Sequence, residues 1–255
     1  MLYGVCGGPE IAEQAKTAGY DFFEWSVGGL LNPRAGDDVF AQALAAVRAA
    51  ALPCPVLNCF VPADLKITGP SASLRALEDF VTVAFRRAQM AKVDTIVFGS
   101  GGARQVPDGF DHRQARQQII AFCRMAAPLA QDRDLTLVVE PLNTAECNIL
   151  NTVAECAEIV RAAYHPALRL LVDAYHWARD NDSADDIARN ASSLKHVHIA
   201  TTANRRPPGV EPCEFSRFFG GLRRAGYNGR ISIEANIRNS ASELPVALAL
   251  MKSEA

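Results

Sequence analysis

The chain has 255 residues, 49% hydrophobic and 21% charged, with 26 Lys+Arg against 28 Asp+Glu for a formal charge of −2. An apolar fraction near one half is enough for a sizeable core and excludes disorder over most of the length. The slight acidic excess, with no Lys/Arg block longer than a pair, argues against binding to a nucleic-acid backbone.

Taken in chain order, short β-branched or aromatic runs alternate with longer helical patterns. Strands are expected at Leu2 to Cys6 and Asp21 to Ser26, followed by a helix at Asp37 to Ala50. Next come a strand at Pro55 to Phe60, a helix at Ser71 to Ala91, a strand at Thr95 to Gly99 and a helix at Asp111 to Gln131. The second half continues with strands at Leu135 to Glu140, Leu168 to Asp173, Leu194 to Ile199 and Arg230 to Ala235, and helices at Thr152 to Ala163, Glu214 to Ala225 and Ser240 to Met251. Eight strands give about 32 residues per strand-helix unit, the size expected of a (β/α)₈ TIM barrel. No linker breaks the alternation, so a single barrel domain over residues 1–255 is the economical reading. An open doubly wound sheet is the alternative, but its first strand should lead into G-x-G-x-x-G and here meets only Gly7-Gly8-Pro9.

The seven cysteines are odd in number, scattered and never spaced C-x-x-C, so they read as small buried hydrophobes rather than a disulfide framework or a thiolate zinc site. No apolar run approaches the roughly 20 residues of a membrane span, and no basic segment followed by an apolar stretch opens the chain. A cytoplasmic, reducing setting is expected.

In a barrel, chemistry gathers where strands end. The last four strands end in Glu140, Asp173, His198 and Glu234, each after an apolar run that argues for burial. A single such residue is more often an ion pair or a helix cap. Four on consecutive strands, with no Lys or Arg within two residues of any of them, need a shared partner, since an unpaired buried charge is costly. A divalent cation supplies one. Three carboxylates and an imidazole form an oxygen-rich set suited to Mn²⁺, Mg²⁺ or Co²⁺, with Zn²⁺ less favoured. His196 faces the same way as His198 two residues earlier and is expected to be a core histidine or a support for its neighbour.

These residues resemble the xylose isomerase-like (AP endonuclease family 2) TIM barrels, especially the branch of sugar isomerases and epimerases that includes ketohexose 3-epimerases and hydroxypyruvate isomerase. Glu140-Pro141-Leu142-Asn143 with Glu146 is similar to that family's fifth-strand motif, and Asp173-Ala174-Tyr175-His176 to its D-x-x-H. His196-Val197-His198 resembles its H-x-H, Ile231-Ser232-Ile233-Glu234 its closing strand, and Arg205-Arg206-Pro207-Pro208-Gly209 its R-x-x-P-G loop. The resemblance implies that Glu140, Asp173, His198 and Glu234 bind metal, that Glu140 and Glu234 exchange the substrate proton, and that Glu146, His176 and Arg205 contact substrate. The implied partner is a small sugar, with neither nucleic acid nor membrane, in a possible homo-oligomer. Arg205 lies seven residues after His198 where the epimerases have six, and Thr201-Thr202 stands where they often carry Glu, which leaves the particular sugar open.

The DNA-repair branch of the same superfamily requires ligands from the third and fourth strand ends. Here those ends are Asn58-Cys59-Phe60 and Phe98-Gly99-Ser100. Metal-dependent dehydration of a cyclitol or dehydroshikimate-like substrate and a non-catalytic sugar-binding barrel are the remaining alternatives. Three details stay open. Glu24 is expected either to contact substrate or to pair with a neighbour. The Gly99-Ser100-Gly101-Gly102-Ala103-Arg104 run could cradle a phosphate or merely turn the chain, and Tyr175 and Trp177 could wall the site or an interface.

Overall fold

The computed structural model describes residues 1–255 and is a closed barrel of eight parallel strands in the order β1 to β8. The elements run β1 (Leu2–Cys6), α1 (Ala12–Ala18), β2 (Phe22–Ser26), α2 (Val27–Leu30), α3 (Asp37–Ala49), β3 (Val56–Asn58), α4 (Leu74–Met90) and β4 (Thr95–Phe98). The second half runs α5 (Gly101–Arg104), α6 (His112–Gln131), β5 (Thr136–Val139), α7 (Val153–Ala163), β6 (Leu168–Asp173), α8 (Ala174–Arg179), α9 (Ala184–Arg189), β7 (Leu194–Ile199), α10 (Ser216–Arg224), β8 (Arg230–Ile233) and α11 (Ser240–Glu254). β8 pairs in parallel with β1, which closes the sheet and removes the open doubly wound alternative.

Strand parity explains why the runs look continuously apolar yet deliver polar groups to one place. Successive side chains point to opposite faces. Ile96, Phe98, Leu137, Val139, Leu170, Val172, Val197, Ile199, Ile231 and Ile233 join the large core between strands and helices. The alternate positions Phe22, Val56, Val97, Val138 and Leu171 form a separate apolar plug. Two residues beyond members of that plug stand Glu24, Asn58, Gly99, Glu140 and Asp173, on the interior face one layer nearer the strand ends. Gly4 makes room for the plug, because a Cβ there would sit 2.2 Å from the Phe22 ring.

The helices follow ordinary rules. Ser73 caps α4 by accepting the Ala76 N–H, Asp111 caps α6 through Gln114, and Thr152 with Glu155 forms a capping box on α7. Along α4 the buried Leu77, Phe80, Val81, Ala84, Phe85 and Ala88 fall on one face at three- and four-residue spacing. Phe60, expected to end the third strand, lies in this core against Phe85, 5.5 Å between ring centres. The strand stops at Asn58, since Cys59 turns to a left-handed backbone with φ +51°.

All seven cysteines are free thiols. Cys54, Cys123, Cys147 and Cys156 are buried as expected, whereas Cys6 and Cys213 are half-buried and Cys59 is exposed. The turn that ends β3 lifts Cys59 out of the core. No helix is long and apolar enough to cross a membrane.

Candidate active site

Glu140, Asp173, His198 and Glu234 meet at the C-terminal end of the barrel. One ligand atom from each lies within 4.8 Å of all the others. Asp173 ends β6 and spends Oδ1 on the Tyr175 N–H at 2.9 Å, capping α8 and leaving Oδ2 free. His198 directs Nε2 to Glu24 Oε1 at 2.8 Å, while Nδ1 lies 3.3 Å from Glu140 Oε1 and 3.6 Å from Glu234 Oε2. Glu140 Oε1, Asp173 Oδ2 and His198 Nδ1 are buried without a hydrogen-bond partner. Each orphan of that kind costs about 1–3 kcal/mol. Three converging on one gap, with Glu234 as a fourth donor, fit a divalent cation bound mainly through oxygen.

The electrostatics agree. Burial pushes the Asp173 carboxyl up to about 6, and the Glu234 and Glu140 carboxylates add to this against His176 and His198. Burial would raise Glu234 too, but His198 and Arg205 outweigh it and hold that carboxyl at about 2. For His198, burial lowers the pKa while Glu24 and Glu234 raise it, and the carboxylates win by a wide margin. A cation placed in this gap would have to compete with a proton for Nδ1.

Three further predicted residues border this cluster. His176 accepts the Asn143 backbone N–H at Nδ1, 3.1 Å, which assigns its proton to Nε2, 3.6 Å from Asp173 Oδ2. Arg205 reaches in from the loop after β7. Its Nη2 is 2.5 Å from Glu234 Oε2 and 3.8 Å from Asp173 Oδ2, and Nη1 is 3.8 Å from Glu146 Oε2. Its backbone is left-handed, φ +51°, a strained state costing about 1–3 kcal/mol for a non-glycine residue. Tyr175 supports it from below, with the guanidinium 4.5 Å from the ring centre. Arg205 is thus the cation that reaches the cluster, since Arg169, Lys195 and Arg230 stand at the starts of β6, β7 and β8, where Arg230 is bound to Asp94. Neither loop arginine is a solvated surface charge, because Arg206 is buried on Glu243.

Residues 12–253 match the family model described as "Xylose isomerase-like TIM barrel". The chain belongs to that family. The L-ribulose 3-epimerase of Methylomonas sp. (strain DH-1) is 28% identical over 124 residues, 48% of this chain and 43% of that protein. The ketose 3-epimerase of Arthrobacter globiformis is 30% identical over 110 residues, 43% and 38% of the two chains. These matches span less than half the length of either relative. A solved D-psicose 3-epimerase with D-tagatose, from Clostridium cellulolyticum H10, superposes with TM-score 0.82 at 18% identity, covering 100% of this chain and 98% of that one. At that identity the likeness is one of fold.

Other residues of this xylose isomerase-like barrel resolve what the sequence leaves open. Arg104 turns inward, fully buried, and donates to the Glu140 and Leu150 carbonyls at 2.8 and 3.3 Å, so the glycine-rich run anchors Glu140 and offers no guanidinium to a phosphate. A Cβ at Gly99 would lie 2.3 Å from Glu140 Oε2 and would displace that carboxylate from its present position. Trp177 packs edge-on against Phe218 on the helix side, leaving Tyr175 as the aromatic at the site. Glu24 is fully buried and pairs with His196 and His198 rather than facing the opening. Asn143 is a residue that motif reading left without a role. Its backbone binds His176 and its side-chain amide binds Glu146 at 2.9 Å, and its place in Glu140-Pro141-Leu142-Asn143 is the one signal that marked it. A cavity of about 390 Å³ at the opposite end, lined by Leu2, Lys195, Tyr227 and Arg230, contains none of the cluster.

Proposed function

We propose that the chain is a metal-dependent sugar isomerase or epimerase acting on a ketose or related hydroxy-carbonyl substrate, by proton transfer through an enediolate. Glu140, Asp173, His198 and Glu234 would hold one Mn²⁺, Mg²⁺ or Co²⁺. Glu140 and Glu234 would also take and return the proton, and Glu146, His176 and Arg205 would bind substrate. The observation that carries this reading is the convergence of partnerless Glu140 Oε1, Asp173 Oδ2 and His198 Nδ1 beside Glu234 at the catalytic end of a barrel. Relatives named as ketose and L-ribulose 3-epimerases point to the same class.

A C–H beside a carbonyl is too weak an acid for a carboxylate alone. A bound cation would supply Lewis acidity at the substrate oxygens, lowering the cost of the enediolate. Glu140 and Glu234 come from β5 and β8, on different sides of the rim, so each can address one face of a substrate carbon. Glu234 is in the ionised form a proton acceptor needs, because His198 and Arg205 outweigh burial. The His176 Nε2–H and the Arg205 guanidinium would donate to the developing oxyanion, and Glu146 would accept from a hydroxyl.

The test is a panel of ketoses, aldoses and 2-keto acids incubated with Mn²⁺ or Co²⁺ and read by product chromatography. We expect metal-dependent interconversion of one ketose with its epimer or aldose. A product lighter by one water would point to the dehydratase. Sugar binding by calorimetry without turnover would overturn catalysis in favour of a binding barrel.

A further inference from the structure

Glu24 lies deep in the barrel, on the interior face of β2, with no solvent exposure. Its two oxygens are divided between two imidazoles: Oε1 is 2.8 Å from His198 Nε2 and Oε2 is 2.8 Å from His196 Nε2. β2 and β7 are not neighbours, since β1 and β8 lie between them. The carboxylate can reach across because the interior positions on the intervening strands are small, Gly4 and Cys6 on β1 and Ser232 on β8.

The arrangement has a directional consequence for His198. An ionised carboxylate only accepts hydrogen bonds, so the Nε2 facing it must carry a proton. Both Glu24 oxygens face imidazole nitrogens at 2.8 Å, an arrangement in which the carboxylate is the shared acceptor. The other ring nitrogen, Nδ1, is the partnerless atom aimed at Glu140 and Glu234. His196 occupies the second oxygen of Glu24 and so prevents the carboxylate from turning away from His198.

We propose that Glu24 is a positioning residue that makes His198 a metal ligand through Nδ1, fixing its tautomer and ring orientation, with His196 holding Glu24 in register. This rests on the proposed metal centre and adds a support from β2 to a ligand set drawn from β5 to β8. A carboxylate behind a ligating imidazole also raises its basicity, and loss of such a partner typically weakens metal affinity roughly 10- to 100-fold. In Glu24→Gln the shape is kept, but an amide presents one acceptor and one donor edge, so it cannot accept from both imidazoles.

The test titrates Mn²⁺ into metal-free wild type, Glu24→Gln and Asp173→Ala by calorimetry, with circular dichroism as the check on folding. We expect Glu24→Gln to bind one ion roughly 10- to 100-fold more weakly and Asp173→Ala to lose tight binding. Wild-type affinity in folded Glu24→Gln beside a weakened Asp173→Ala overturns the role of Glu24 and leaves the metal centre standing. Wild-type affinity in Asp173→Ala overturns the metal centre itself. A measurement on wild type decides the matter if Glu24→Gln does not fold. In the Co²⁺-loaded protein the proton NMR spectrum should contain a hyperfine-shifted imidazole N–H that exchanges slowly with water, the Nε2 proton held by Glu24. Absence of that resonance overturns the proposal.

Discussion

Asp173→Ala is expected to abolish tight divalent-cation binding while leaving the barrel folded. Asp173 Oδ2 is one of the buried, partnerless atoms that define the gap, and nothing else on β6 can replace it. Removal of a direct ligand should weaken binding more than loss of a supporting partner does, so at least about 100-fold. The effect on the metal-free fold is small by comparison. Losing the cap on α8 costs about 1 kcal/mol, and removing an unsatisfied buried oxygen returns about 1–3 kcal/mol. Thermal melts with and without Mn²⁺ separate the two effects. At a free-ion concentration near 100 times the wild-type Kd, wild type should gain about 5–10 °C, and the variant should gain almost nothing. Equal metal content in both proteins by elemental analysis would remove Asp173 from the site.

Glu234→Gln is expected to slow turnover by roughly 10²- to 10⁴-fold, the range associated with a general base or acid. The substitution keeps the shape and a carbonyl oxygen for Arg205, whose Nη2 now lies 2.5 Å from the carboxylate. It removes the charge that makes Glu234 a base. Since the same side chain is assigned to the metal, kcat must be compared at matched metal occupancy. A metal-loaded Glu234→Gln that turns over at the wild-type rate would remove it from proton transfer.

The barrel and the four rim residues were legible because their signals are local. An ionisable residue at the end of an apolar run stands out within five or six positions, and Glu140, Asp173, His198 and Glu234 all do. Partnerships that cross the barrel leave no such trace. Glu24 is undecided in the sequence because the imidazoles it binds lie 172 and 174 residues away. Arg104, in a glycine-rich turn, suggests an anion cradle until the carbonyls of Glu140 and Leu150, 36 and 46 residues on, take its donors. Arg205 could be read as a surface charge from spacing alone, and only the left-handed turn and the Tyr175 ring beneath it aim it into the cluster. Strand ends shifted by a residue or two for a similar reason. Cys59 has the composition of a strand residue, but the chain must turn there to leave the barrel rim.

Isotope exchange addresses the two-carboxylate chemistry most directly. Metal-loaded wild type, supplied in D₂O with the substrate found by the sugar panel, should place deuterium on the carbon next to the carbonyl. With Glu140 and Glu234 acting from different sides of the rim, the group that accepts the substrate proton is not the one that returns a proton, so the label should come from solvent. Mass spectrometry and proton NMR of the product read both the amount and the position of the label. One deuterium per turnover at that carbon is the result expected of proton transfer through an enediolate. Product formed at the full rate with no deuterium there, as a hydride shift would give, would contradict it.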